Sequence, residues 1–504
     1  MTYAHRVRPV AFVFLAMFAL LLASLSQVVF AKITTTARPE ARVTKKVDNS
    51  KRTTLYGHVS AATRSATDLG RQEPSTPSPG MLMVLKSSED QNHEIRRVID
   101  EQQDKRTVNY HQWVTPEEFG EHFGVHDADI AQIKDWLMSQ GFTVDEVSKS
   151  KRVIRFSGNI GQVEQAFQTE MHLYSYKGEL HVANSTEISV PDAFKKVIAG
   201  VTLHNFYRKG TFDREKQIKL GGTLKGGPKY TSSSSVHYVA PADFATIYNT
   251  APLLAAGING SGETIAIVGR SDILLSDVQS YRQLFNLPPN DPTFINAGQD
   301  NGVNPGDDGE SDLDVEISGG MAPLAHVDFV IGTPTFLVDG ITNSIQYIVE
   351  NNIADIMSIS YGDCELNEGT GGNAFNAQAF EQAAAQGTTT FIAAGDNGPA
   401  ECDDQNDSLE VLGYAAPAEG STPYVTTAGG TELSGECPTL GPSCSQSNES
   451  KYRAAASNGV YLSSASEYIP ETPWNVGKGS NVNAAPSADL SGLCWGAAPS
   501  ALTT

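Results

Sequence analysis

Between Val239 and Gly430, short continuous apolar runs alternate with stretches whose apolar positions recur at helical spacing. The runs cover residues 264–268, 326–331, 356–360 and 390–394, and the helical stretches cover 278–285, 341–351 and 374–386. A strand that is apolar at every position is buried on both faces, so the alternation predicts a parallel sheet with helices on both sides. Right-handed crossovers make it a doubly wound α/β domain. After about Gly430 the pattern fades into Ser-, Asn- and Gly-rich sequence.

The front of the chain has another grammar. Residues 81–85 are strand-like, Thr115-Pro116-Glu117-Glu118 is a capping box that opens a helix, and residues 127–140 put Ile130, Ile133, Trp136 and Leu137 on one helical face before Gly141. A strand over 153–156 and a helix over 161–171 complete a compact α+β unit, residues 81–206. The Thr-, Ser-, Arg- and Pro-rich stretch 32–80 has no sustained period and reads as a flexible leader. Residues 207–235, with Gly-Gly pairs and four consecutive serines, read as an exposed linker to the larger unit, 236–504. Residues 1–31 read as a secretory signal: Arg6 and Arg8, an apolar core over 10–25, and a cleavage site at Val29-Phe30-Ala31. A single amino-terminal anchor is the alternative. Either places the rest outside the cytoplasm, with no membrane contact after signal removal.

Charge sharpens the division. The formal net charge of -22 splits into +6 for residues 1–231 and -28 for the rest, where only Arg270, Arg282, Lys451, Arg453 and Lys478 are basic. Two units of opposite sign attract each other. Nucleic acid is excluded as a partner of the acidic unit, because phosphate binding needs clustered Lys and Arg. The cysteines, Cys364, Cys402, Cys437, Cys444 and Cys494, all lie there. Cys364 and Cys402 follow successive strands that a parallel sheet brings together, and Cys437 and Cys444 can close a short loop. No Cys-x-x-Cys or His-rich spacing marks a metal site.

Candidate chemistry lies in carboxylates. Glu310 and Asp314, spaced i, i+4, share one face of a helix, and such a pair can accept and pass a proton. The bland reading is a solvated acidic helix start. Asp396 follows the strand over 390–394, where α/β domains place reactive groups; kept protonated, it can donate to a developing oxyanion. The bland reading of Gly395-Asp396-Asn397-Gly398 is a tight turn. A histidine-based mechanism has little support. The larger unit holds only His237 and His326, and no Gly-x-Ser-x-Gly elbow occurs.

The larger unit resembles the sedolisins, or serine-carboxyl peptidases, which have a subtilisin-like fold. The resemblance rests on Val239-Ala240-Pro241-Ala242-Asp243-Phe244, residues 310–314 with Ala322-Pro323, Ser358-Ile359-Ser360-Tyr361-Gly362, Ala394-Gly395-Asp396-Asn397-Gly398 and Pro423-Tyr424-Val425-Thr426-Thr427. The front unit resembles a kumamolisin-type activation domain through Tyr110-His111-Gln112-Trp113-Val114-Thr115-Pro116, Phe123-Gly124-Val125 and Phe156-Ser157-Gly158. The resemblance implies Glu310 as general base, Asp314 orienting it, Asp396 as protonated oxyanion donor, protein or peptide substrates, and an activation domain docked on the cleft. It implies a secreted proenzyme active at about pH 3 to 5, where a carboxylate base and a protonated donor coexist. It also implies a Gly-Thr-Ser-Ala-Ser turn with the nucleophile and, after it, a calcium site. Neither is found up to Thr504, so the expectation is a chain without cofactor and inactive as it stands. Ser464-Ala465-Ser466 lacks the preceding Gly-Thr and is not taken as the nucleophile. The alternative is a non-catalytic relative that binds peptides or inhibits a partner.

Overall fold

A computed structural model describes residues 33–207, 239–300, 302–304, 306–396, 398, 400–403, 413–433, 452–458 and 463–473. The expected signal segment, all but the first residue of the linker, and Cys437, Cys444 and Cys494 lie outside the described residues.

The front unit contains β1 (Arg52–Leu55), β2 (Thr67–Arg71), β3 (Pro77–Leu85), α1 (Glu89–Gln103), α2 (Pro116–Phe123), α3 (Asp127–Ser139), β4 (Thr143–Val147), β5 (Val153–Asn159), α4 (Ile160–Phe167), β6 (Met171–Tyr176), β7 (Glu179–Asn184), β8 (Ile188–Pro191) and β9 (Ile198–Val201). Its main sheet has the order β4-β5-β3-β9, all antiparallel. The capping box at Thr115 is present, with its hydroxyl accepting from the Glu118 N–H and Glu118 reaching back.

The expected flexible leader is a correction. Ile33, Ala37 and Val43 are buried, β1 pairs with β8, and β2 pairs with β6. The Arg42 and Val43 N–H groups donate to the Asp129 carboxylate at 2.7 and 2.9 Å. The apolar residues here are single anchors and the backbone bonds to side chains, so the segment is ordered without any period to betray it.

The second unit contains α5 (Pro241–Ile247), α6 (Ala251–Ala255), β10 (Thr264–Gly269), α7 (Leu275–Leu284), β11 (Thr293–Ala297), α8 (Asp308–Met321), β12 (His326–Gly332), α9 (Gly340–Asn351), β13 (Ile356–Ile359), α10 (Glu365–Gln386), β14 (Thr389–Ala393) and β15 (Thr426–Ala428). These strands form one parallel sheet in the order β11-β12-β10-β13-β14-β15. The expected doubly wound α/β sheet is therefore present. On β10, Ile265 and Ile267 face Val278 of α7 and Val315 of α8, while Ala266 and Val268 face α9 and α10. Short antiparallel pairs follow: β16 (Thr431–Leu433) with β19 (Glu471–Pro473), and β17 (Arg453–Asn458) with β18 (Ser463–Ala465).

The two units share a core. Leu82, Val84 and Val153 of the antiparallel sheet pack with Val338, Ile345, Phe375 and Ala379 around α9 and α10. Met81, Met83 and Leu85 point the other way, into the front unit's own core. The residues 81–85 are thus apolar on both faces because the second unit's helices cover one of them. Helices α9 and α10 lie between the two sheets.

Candidate active site

The chain starts its parallel sheet in the middle. From β10 it builds β11 and β12 on one side, then crosses to β13, β14 and β15 on the other. In such sheets the crevice opens at the carboxyl ends of strands flanking the reversal. Arg270 follows β10, Ser360 and Tyr361 follow β13, and Asp396 follows β14.

Glu310 and Asp314 sit one turn apart on α8, Glu310 in its first turn. The helix amino terminus would favour ionised carboxyls. Burial wins: it pushes Glu310 up to about 7, reinforced by the charges of Asp314, Asp396 and Asp307 in that order. Asp314 is also pushed up to about 7 by burial, against the pull of Ser360. The Ser360 hydroxyl donates to Asp314 Oδ1 at 2.7 Å. The structure therefore brings the three sequence-predicted carboxyls into one electrostatic neighbourhood and adds Ser360 as a hydrogen-bond donor. Glu310 and Asp314 are half-buried rather than solvated, which separates them from the bland reading of an acidic helix start.

The loop carrying Asp396 is tied down. Cys402 forms a disulfide with Cys364, which precedes α10. This is the pairing that strand adjacency makes available. Ala394 N–H donates to the Ala428 carbonyl at 2.8 Å, extending the β14–β15 pairing toward Asp396.

A second network underlies the pair, and the sequence reading passed over it. The Arg270 Nη2 donates to Asp307 Oδ1 at 3.0 Å and its Nη1 to Asp339 Oδ2 at 3.1 Å. Its guanidinium carbon lies 5.1 Å from the centre of the Tyr361 ring. Burial works against this charge, but Asp339 and Asp307 outweigh it, so Arg270 holds its proton more tightly than usual. A signal was available: Arg270 and Arg282 are the only basic residues between Ser232 and Ser450. Arg282 binds the carbonyls of Pro288, Gly319 and Pro323, a structural role. Ser466 in the rejected Ser464-Ala465-Ser466 run donates its hydroxyl to the Tyr452 carbonyl at 2.8 Å. Among the described residues no group of three or more His, Cys, Asp or Glu is placed to hold a metal ion.

Comparison with known proteins points the same way as this geometry. A family model described as "Pro-kumamolisin, activation domain" matches residues 64–206. It begins before β2, in keeping with the ordered strands found there. Xanthomonalisin of Xanthomonas sp. (strain T-22) is 27% identical over 355 residues, covering 64% of this chain and 42% of that protein. Sedolisin of Pseudomonas sp. (strain 101) is 25% identical over 372 residues, covering 72% and 57%. Kumamolisin of Bacillus sp. (strain MN-32) is 26% identical over 396 residues, covering 77% and 68%. The chain spans about half the length of the first two and about two thirds of the third. With an activation-domain match ahead of a parallel sheet and relatives that run across both units, the chain is similar to the sedolisins over both of its units.

Proposed function

We propose that this chain is the proenzyme form of a secreted, acid-active serine-type endopeptidase. Glu310 acts as general base, Asp314 orients it, and Asp396 donates from its protonated carboxyl to the oxyanion. The observation that supports this most is that Asp314 and Asp396 both bear electrostatically on a buried Glu310, with Ser360 donating to Asp314, at the carboxyl edge of the sheet. A base needs a proton affinity near the working pH, and burial beside a second carboxyl supplies it. The same effect qualifies the expected optimum of about pH 3 to 5, because Glu310 must lose its proton to act. The acid limb of kcat/KM is expected between the ordinary carboxyl value of 4.5 and about 7, set by how far substrate and water resolvate Glu310.

The family's reaction also requires a serine, and the 504 residues contain no Gly-Thr-Ser-Ala-Ser run. A second reading, for these 504 residues by themselves, is peptide binding without cleavage. Expression of the gene through any downstream coding sequence, alongside the 504-residue chain, separates the readings. The extended protein is expected to cleave a denatured substrate in acid and to lose at least about a hundredfold in rate in Glu310→Gln and in Asp396→Asn, in line with the size of general-base and oxyanion effects. Cleavage that survives both substitutions sinks the carboxyl assignment. If no extension cleaves while the chain retains peptides, the binding reading stands.

A further inference from the structure

We propose that Arg270 is a positioning residue for the Glu310–Asp314 pair, joining the starts of α8 and α9 and the end of β13 through one buried guanidinium. The proposal rests on the reading of Glu310 as base. Asp307 and Asp339 occupy the amino-terminal cap positions of α8 and α9, yet neither side chain caps its own helix. A cap of this kind is worth about 1 kcal/mol to a helix. Both carboxylates instead turn to Arg270, where charge-assisted hydrogen bonds are stronger than a neutral cap. Asp307 is saturated on its other oxygen, since Asn304 Nδ2 donates to Oδ2 at 2.9 Å. Asn304 is itself held by the Ser271 hydroxyl, which accepts its N–H at 2.9 Å, one residue after Arg270. The first turn of α8 is therefore clamped to the end of β10 by side chain and backbone together. The guanidinium carbon lies over the ring of Tyr361, the neighbour of the Ser360 that donates to Asp314. One cation thus reaches both members of the pair: Glu310 through Asp307, and Asp314 through the Ser360–Tyr361 segment.

The electrostatic side follows. The groups that bear on Glu310 are Asp307 and Asp314 on α8 and Asp396 after β14. Arg270 after β10, Asp339 before α9 and Tyr361 after β13 form the shell behind them. Every carboxyl in the first group disfavours a negative Glu310. Arg270 offsets part of the Asp307 charge through their ion pair, so without it Asp307 bears on the base undiminished. Lysine keeps the charge but not the two-pronged geometry.

The test is a carboxyl carbon-13 titration of the full 504-residue chain labelled at glutamate, with the Glu310 signal identified by its loss in Glu310→Gln. Arg270→Gln is expected to raise the Glu310 midpoint by about one pH unit, and Asp307→Asn in the otherwise native chain to lower it by a similar amount, the scale of one neighbouring charge. Arg270→Lys is expected to leave the midpoint near the native value, and adding Asp307→Asn to Arg270→Gln should cancel the rise. A scaffold role alone would not give these opposite signs. Should Arg270→Gln not fold, the downward shift in Asp307→Asn still decides. A midpoint unmoved by both substitutions overturns the inference. A native Glu310 that titrates as an ordinary exposed glutamate instead overturns the reading of Glu310 as base, so the two failures are distinguishable.

Discussion

At the scale of single residues, proton affinity separates a working carboxyl from a solubilising one. Glu316, two residues past Asp314 on α8, is pushed up to about 8 by burial, with Asp312 and Asp277 adding to it. It has no part in the proposed chemistry, so it isolates the cost of the environment. Its folded-state value lies above the ordinary 4.5, so the folded state binds the proton more tightly than the unfolded chain. The fold is then penalised increasingly as pH rises from 4.5, and fully above about 8. Glu316→Gln should stabilise the protein by about 1–4 kcal/mol at pH 8 and much less at pH 5, as one pKa unit is worth about 1.4 kcal/mol. Thermal melts at both pH values check this; an equal difference at the two would show that Glu316 titrates normally.

At the scale of elements, α10 is where the two units hold each other. Its helix breaks at Gly369 (φ 64°, ψ −176°), which turns the Thr370 N–H outward to the Gly57 carbonyl at 2.7 Å. A Cβ on Gly369 would sit 2.7 Å from that same carbonyl oxygen. At the other end, the Val114 N–H and Gln102 Nε2 both donate to the Ala385 carbonyl, at 3.1 and 2.9 Å. Between them Arg152 Nη1 meets Glu381 Oε2 at 2.7 Å with both side chains almost fully buried. The Tyr424 hydroxyl donates to the other Glu381 oxygen at 2.8 Å, and Arg152 lies over Phe119 at 4.7 Å. Arg152→Met strands a buried carboxylate, so a loss of about 3–5 kcal/mol is expected. Arg152→Met combined with Glu381→Met should recover most of it. Urea unfolding of the single and double variants is the measurement, and a double variant no better than the single would show that packing, not charge, carries the contact.

Across the whole molecule, acid acts on the two units in opposite directions. In the front unit, burial lowers His58 and takes His204 down to about 4. Both lie against α10: His58 follows the Gly57 contact, and His204 Nε2 is 3.4 Å from the Glu368 carbonyl. Their folded-state values lie below the ordinary 6.5, so the fold is penalised as pH falls from 6.5, and for His204 fully below about 4. Glu187 partly offsets this at His58. Glu310, Asp314 and Glu316 behave oppositely, since acid returns the protons they hold most easily. Hydrogen exchange corrected for intrinsic rates is expected to show lost protection around β9 on going from pH 7 to pH 4, with α8 unchanged or better protected. His58→Asn with His204→Asn should remove most of that difference; uniform loosening of both units would contradict it.

Much of this was written locally. The apolar runs at residues 264–268 and 356–360 were long and flanked by turn residues, so they read as buried parallel strands. The i, i+4 spacing placed Glu310 and Asp314 together, and strand order made Cys364 and Cys402 neighbours. The edge strand β11 escaped because it is only half-buried, and the leader escaped because its anchors are single residues. The sequence by itself determined which side chains leave water and which helix faces they occupy, because burial and capping imprint a short-range period. Only the tertiary structure decided what covers Leu82 and Val84, and that Asp307 and Asp339 abandon their own helices for Arg270. Those partners lie far apart along the chain, and a buried charge takes whichever opposite charge the packing delivers.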